Sequence, residues 1–328
     1  MILVTGANGL VGSFLCKELI GKGYRVRALI RKNSDISLLK EFEDKLEIHI
    51  GDLNDAGSLI DAMNHVECIV HTAAMISFWS KRRDEMFQTN VEGTRNILNA
   101  ALEFGIKKFI HISSVAAIGR KVSDTFINET NTWEESALNT RYAVTKHQAE
   151  LEVYRAVEEG LNAILVNPSI ILGPALKGTS TARLFEYVAQ KNKFYTEGYM
   201  NYVDVRDVVS SILFFIENQT PSGERYILNA GIVRYKEFFE AIAQVLNIEP
   251  PKISARPWMR ALAWRFYAVK SFFTGKEPLI TRETASVSAH KFEYQSDKIK
   301  KTTNIVFNPL KETVVWTCAN LFKDKQLK

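Results

Sequence analysis

Met1-Ile2-Leu3-Val4-Thr5-Gly6-Ala7-Asn8-Gly9-Leu10-Val11-Gly12 opens the chain and decides its fold. A short β-branched run leads into a G-x-x-G-x-x-G loop, and residues 11–21 follow with Leu15, Leu19 and Ile20 on one helical stripe. Strand, glycine turn and helix in that order form a phosphate-binding unit. Gly6 permits the tight turn, Gly9 lets backbone approach a pyrophosphate, and Gly12 lets helix pack on strand. The helix start offers unpaired N–H groups and a positive dipole end.

The same alternation continues outward. Apolar runs at 25–30, 46–50, 68–71, 109–112 and 163–167 are separated by helical stretches such as 91–104, striped by Ile97, Leu98, Ala101 and Leu102. Nearly continuous apolar strands between helices predict a parallel sheet covered on both faces, and right-handed crossovers make it doubly wound. After Pro174 the rhythm turns helical, at 181–190, 205–218, 235–246, 257–273 and 309–322, with strand candidates at 201–203 and Arg225–Leu228. The expected division is a nucleotide-binding domain over 1–174 and a smaller, mostly helical substrate lobe over 175–328. Some segments of the lobe return to the main sheet.

Composition is ordinary for a folded globular chain: 328 residues, 46% hydrophobic, 24% charged, net charge +5. The mild basicity suits an anionic ligand, but no Lys/Arg block is dense enough for nucleic acid. Cys16, Cys68 and Cys318 form neither a disulfide framework nor a zinc pattern, which points to a reducing, cytoplasmic setting. No apolar run reaches the ~18 residues of a membrane span, and no secretory signal is expected.

The second strand ends in Arg31-Lys32, with no carboxylate before Asp35. A guanidinium there grips a ribose 2′-phosphate where an acid would repel it, so NADP(H) is expected in preference to NAD(H). Farther on, Tyr142 and Lys146 share a helix face at i, i+4, and a nearby cation favours phenolate. Ser113 and Ser114 follow the fifth strand, at the sheet end where doubly wound folds place ligands. His111 is expected to be a buried, hydrogen-bonded core residue and His71 to shape the cofactor loop. Asp204 and Asp207 read as capping and packing residues, and no metal is expected.

These motifs together resemble the extended short-chain dehydrogenases/reductases of the NAD(P)-dependent epimerase/dehydratase family. Thr5–Gly12, Asp52-Leu53, His71-Thr72-Ala73-Ala74, Asn90-Val91-Glu92-Gly93-Thr94, Ser113-Ser114, Tyr142-x-x-x-Lys146, Asn167-Pro168-Ser169-Ile170 and Tyr202-Val203-Asp204-Val205-Arg206-Asp207 occur in order across nearly the whole chain. The resemblance implies a Rossmann fold. It implies Tyr142 as general acid/base, Lys146 holding the nicotinamide ribose and tuning Tyr142, and Ser114 polarising the substrate oxygen. Gly6, Asn8, Gly9, Leu10 and Val11 would bind pyrophosphate, and Arg31 and Lys32 the 2′-phosphate. Asp52 and Leu53 would meet adenine, Ala73, Ala74 and Ser113 would run along the cofactor, and Pro168 and Ile170 would flank the nicotinamide. It also implies a homodimer through the helices over 90–104 and 140–158.

Within the family, Ser114 is followed by Val115-Ala116 rather than the acidic pair of sugar-nucleotide dehydratases, and Ala117-Ile118-Gly119 departs from the V-Y-G usual in epimerases. The basic corner and Ile76-Ser77-Phe78-Trp79 resemble the dihydroflavonol-reductase-like branch, with Phe78 and Trp79 as apolar substrate walls. The expected activity is NADP(H)-dependent reduction of a carbonyl, or oxidation of the alcohol, on a small apolar or mixed molecule. The alternative is a nucleotide-sugar epimerase with retained NAD, and a non-catalytic redox sensor stands behind both. The polar stretch 119–141 and the segment 175–181 are expected to rim the site as mobile loops. Residues 257–273, with Trp258, Leu262, Phe266, Val269 and Phe273 on one stripe and flanking arginines and lysines, read as a packing helix, a lid or a peripheral membrane contact.

Overall fold

Six apolar runs of the first half line up side by side, and one from the second half joins them. The computed structural model describes residues 1–121, 125–179, 181–255, 259 and 290–323. In it β1 (Ile2–Thr5), β2 (Val26–Ile30), β3 (Glu47–Ile50), β4 (Cys68–His71), β5 (Lys108–Ile112), β7 (Ala163–Pro168) and β11 (Arg225–Leu228) form a seven-stranded sheet in the order β11-β7-β5-β4-β1-β2-β3. Every pair in it is parallel. The direction of winding reverses between β1 and β4, and a crevice opens at their carboxyl ends.

Alternation along the strands divides the core in two. Val4, Ile110, Ile112 and Val166 pack with α1 (Leu10–Gly21) and α7 (Val205–Glu217) on one face. Leu3, Ile69, Phe109 and Leu165 pack with α2 (Ala56–Ala62), α4 (Gly93–Glu103) and α5 (Arg141–Glu158) on the other. A short helix, α3 (Arg83–Phe87), and a π-helical turn over Gln88–Glu92 lead into α4.

The chain leaves the main sheet at Pro168 and two residues later enters a second one. β8 (Ile170–Leu172) pairs in parallel with β10 (Tyr199–Asp204), and β12 (Gly231–Arg234) runs antiparallel beside it. Against this sheet pack α6 (Ala182–Ala189), α8 (Tyr235–Val245) and, near the carboxyl end, α10 (Leu310–Leu321), through Phe185, Met200, Phe238 and Val314. The helix α9 (Asp297–Thr303) rests on the main-sheet face through Ile299. Two-residue strands β9 (Phe194–Tyr195) and β13 (Ile253–Ser254) pair with each other, as do β6 (Phe126–Ile127) and β14 (Glu293–Tyr294).

The stretch 119–141 is not the free loop its polarity suggests. β6 gains a strand partner, Ile127 is buried with Ile118, Leu138, Ile227 and Phe292, and Trp133 stacks on His147 at 4.2 Å between ring centroids. Some of its polar side chains are used locally, Asn128 accepting from the Thr130 amide and Asn139 from the Arg120 amide, while Glu129 accepts from the distant Ile227 amide and Arg120 donates to the Tyr294 hydroxyl. Loop-like composition here reflects turn chemistry rather than absence of packing. In the segment 175–181, Gly178 donates to the Glu186 carboxylate and Arg183 returns a bond to its carbonyl. The expected helix over 257–273 lies outside the described residues. No helix among the described residues is long and apolar enough to cross a membrane.

Asp204 and Asp207 fasten the two parts together. Asp204 caps α7 by accepting from the Arg206 amide at 2.8 Å and takes the Arg206 guanidinium on both oxygens, at 3.0 and 2.6 Å. Arg206 in turn lies 4.2 Å from the Trp316 ring, whose edge meets Phe14 of α1. Asp207 accepts from both the backbone and the side chain of Asn308, pinning the segment before α10, and burial raises its pKa to about 6. Asp204→Ala removes a cap and frees a guanidinium. It should lower stability by ~1–3 kcal/mol, read as a lower midpoint in urea unfolding with an unchanged m-value.

Candidate active site

The glycine loop shows why each glycine is needed. Gly6 has φ +65°, and a Cβ on it would lie 2.7 Å from the Ala73 Cα. A Cβ on Gly12 would meet the Ala7 Cα at 2.7 Å and come closer still to the Gly6 carbonyl oxygen. Gly9, extended, precedes α1 and places no side chain over its first turn, so the helix's first N–H groups face the crevice uncapped. That is a backbone cradle for an anion, and it fits a dinucleotide pyrophosphate.

The walls of the cradle come from the neighbouring strand ends. Thr5 donates to His71 Nδ1 at 2.7 Å and accepts from the Ala73 amide at 3.3 Å. His71 Nε2 reaches the Thr94 hydroxyl at 3.1 Å, and that hydroxyl donates to the Asn90 carbonyl at 2.7 Å. The imidazole therefore carries its proton on Nε2. It stays neutral, because burial and the Lys146 charge push its pKa down to about 3. His71 thus ties the carboxyl ends of β1 and β4 together, and through Thr94 the start of α4. Leu53 is buried, its carbonyl held by Asn96 at 2.9 Å, and Gly93 leaves it room: a Cβ there would lie 2.9 Å from the Leu53 Cβ. Asp52 beside it accepts from the Asn54 amide. Arg31 and Lys32 are exposed at the end of β2. The Asp35 carboxylate is turned onto Ser37, and Asn8 donates to the Asp35 carbonyl, which joins the glycine loop to this corner.

At the other side of the crevice Ser114 and Tyr142 meet. Ser114 caps a 3-10 turn (Val115–Ile118), accepting from the Ala116 amide at 3.2 Å. Thr140 caps α5 and sets Tyr142 in its first turn, where the phenol faces Ser114. The Phe78 ring stands edge-on to Tyr142 at 6.3 Å. Trp79 follows it, half-buried, with Lys81 over its ring. Burial pushes the Tyr142 pKa up to about 12, against which Ser114 acts. The buried Lys146 Nζ donates to the Ile112 carbonyl at 2.9 Å. Burial lowers Lys146 itself to about 8.

His111 also departs from expectation. It is fully buried, 5.4 Å from the His71 ring, but neither of its ring nitrogens has a hydrogen-bond partner among the described residues. Its strand neighbours in register are Leu165 and His71, whose two nitrogens are taken by Thr5 and Thr94, and burial with the Lys146 charge keeps the ring neutral. Pro168 is buried at the end of β7, and Ile170, half-buried, opens β8, so the chain changes sheets beside the crevice.

Three residues of this region have no role among the sequence expectations: Asn90 and Asn167, which stand within quoted motifs, and Glu150, which stands outside them. Asn90 brackets Met75, accepting from its amide at 2.7 Å and donating to its carbonyl at 2.9 Å, and also donates to Thr145. It thereby sets the stretch leading to Phe78 against α5. Asn167 donates to the Ser114 carbonyl at 2.9 Å and to buried Glu150. The available signal for Glu150 is its spacing: Tyr142, Lys146 and Glu150 recur every four residues along one helix face. Gly12→Ala tests the closeness of the cradle. The methyl has no room against fixed backbone, and stability should fall by ~1–3 kcal/mol in a thermal or denaturant melt.

Residues 2–231 match the NAD dependent epimerase/dehydratase family. A Synechocystis sp. protein that carries a provisional dihydroflavonol 4-reductase name is 30% identical, over 95% of this chain and 91% of its own. Cinnamoyl-CoA reductase 1 of Petunia hybrida is 29% identical over 74% of this chain and 77% of its own. The crystal structure of gox2253 superposes with a TM-score of 0.84 at 33% identity, covering 100% of this chain and 99% of that one. With the ordered motifs, the parallel sheet and the glycine cradle, these likenesses place the chain in the NAD dependent epimerase/dehydratase family, among its extended short-chain dehydrogenases/reductases of dihydroflavonol-reductase-like type.

Proposed function

We propose that this protein is an NADP(H)-dependent oxidoreductase that interconverts a carbonyl and an alcohol on a small apolar or mixed substrate. The arrangement that supports the reading is Tyr142 in the first turn of α5 facing Ser114 at the carboxyl edge of the sheet, with Phe78 edge-on to the tyrosine ring at 6.3 Å. The two named relatives carry the names of a dihydroflavonol 4-reductase, provisionally, and a cinnamoyl-CoA reductase, and an aromatic side chain beside the acid/base suits a substrate with an aromatic ring.

When bound, the nicotinamide supplies or takes up the hydride. Gly6, Asn8, Gly9, Leu10 and Val11 would hold the pyrophosphate at the uncapped start of α1, and Asp52 and Leu53 the adenine. Ala73, Ala74, Ser113, Lys146, Pro168 and Ile170 would line the rest. Ser114 accepts the Ala116 amide, which leaves its own O–H to donate to a substrate oxygen. Tyr142, with its pKa raised, is protonated at neutral pH and can deliver its proton to that oxygen during reduction. Arg31 and Lys32, exposed beyond β2 while Asp35 is occupied by Ser37, would take the 2′-phosphate.

A panel of aromatic and aliphatic aldehydes, ketones and alcohols, followed at the nicotinamide absorbance, tests the activity. Tyr142→Phe should reduce turnover by at least about 100-fold, within the usual contribution of general acid–base catalysis, with nucleotide affinity retained. Full activity in that variant would refute the mechanism. Co-purified NAD with sugar-nucleotide isomerisation and no net redox would replace the reading by an epimerase. Arg31→Ala should weaken NADPH binding by ~1.5–3 kcal/mol, the loss of a charge-assisted contact, and barely change NADH binding. Calorimetric titration with both nucleotides checks it, and equal losses would make Arg31 structural.

A further inference from the structure

Beneath Tyr142 and Lys146 lies a carboxylate with no solvent exposure, on the same face of α5. Glu150 accepts from Asn167 Nδ2 at 2.5 Å, and the same amide nitrogen donates to the Ser114 carbonyl at 2.9 Å. Its second oxygen lies 3.3 Å from the Arg225 guanidinium, whose Nε is bonded to the Tyr154 hydroxyl at 2.9 Å. A fully buried carboxylate carries a desolvation penalty that a single loose ion pair does not repay, so stability alone gives little reason for its presence. What it touches does give a reason. It connects to the backbone of Ser114 through one side chain, and it is the next charged group along the face from Lys146.

We propose that Glu150 is the positioning residue of this site, fixing Ser114 through Asn167 and supplying the counter-charge of the buried Lys146 ammonium. The charges around the pair are few. Lys146 and Arg225 face Glu150 as cations, and Ser113, Asn167 and Tyr154 face it as neutral groups. Lys146 faces Glu150, the neutral rings of His71 and His111, and the Ile112 carbonyl. Burial works to discharge Lys146 and Glu150 works to keep it charged. Burial pushes the Glu150 carboxyl up as well, with Arg225 first and Lys146 among the groups acting against it, so each of the two buried groups favours the charged form of the other. The catalytic half of the role rests on the oxidoreductase reading above, and the electrostatic half does not.

The test titrates Lys146 in the full chain without nucleotide, by NMR of isotope-labelled lysine side chains, its signal assigned by loss in Lys146→Arg. In Glu150→Gln the midpoint should fall by about one pH unit or more, a tenfold change in the proton equilibrium. In Glu150→Asp, which keeps the charge but loses reach to Asn167, it should stay near wild type. With a turned-over substrate, the alkaline limb of the kcat profile should move to lower pH in Glu150→Gln together with Lys146. Glu150→Asp should lower kcat by about tenfold, as expected for a misplaced polarising group, without moving that limb. An unmoved Lys146 midpoint in folded Glu150→Gln overturns the proposal. Loss of fold in both variants also overturns it, by making Glu150 a structural residue. Wild-type protein with no turnover on any substrate counts against the oxidoreductase reading alone, and the Lys146 titration still decides this one.

Discussion

A lysine ammonium enclosed by protein is the constraint on which the rest of this site depends. Lys146 is 2% exposed, and a charge there needs both a hydrogen-bond acceptor and an opposite charge within the fold. The Ile112 carbonyl supplies the first only because β5 stops at Ile112, where its last carbonyl is free to turn toward α5. Glu150, one turn farther along the same helix, supplies the second. Each fixes a neighbour in turn: β5 continues into Ser113 and Ser114, and Glu150 holds Asn167 of β7. The polar centre is thus organised around one cation, with the sheet end and the helix start as its two supports.

The sheet places these supports by topology. Parallel strands end on one side, so Thr5, His71, Ile112 and Asn167, far apart in sequence, come to the same edge. The reversal of winding between β1 and β4 leaves the crevice there, and the neutral His71 keeps its two walls together. The change from β7 to β8 at Pro168–Ile170 then carries the chain straight from this edge into the second sheet. The site therefore lies where the two sheets are joined, with no flexible linker between them.

Much of this architecture was legible without coordinates. The strand alternation anticipates all six parallel strands of the first half and the return of Arg225–Leu228. Thr5–Gly12, Ser113-Ser114 and the Tyr142/Lys146 pair mark the crevice. The misreadings share a cause. The polar run 119–141 looks like a loop because its turns need Asn, Thr and Gly, yet Ile127 and Trp133 within it find distant partners. His111 looks like a satisfied core histidine because histidine usually is one, yet Leu165 on one side offers only carbon and the His71 nitrogens on the other are already taken by Thr5 and Thr94.

The amino-acid sequence by itself determined the glycine turn, the parallel sheet and the helix-face spacing of Tyr142, Lys146 and Glu150, because each depends on residue type at short, regular separation. Only the tertiary structure decided which polar groups satisfy one another across the fold: Asn90 with Met75, Asn167 with Ser114 and Glu150, Thr5 with His71, Asp207 with Asn308. These pairs span from fifteen residues to about a hundred, a range in which no local period exists. They form because burial leaves each polar group the partners that the sheet and its crossovers bring within reach.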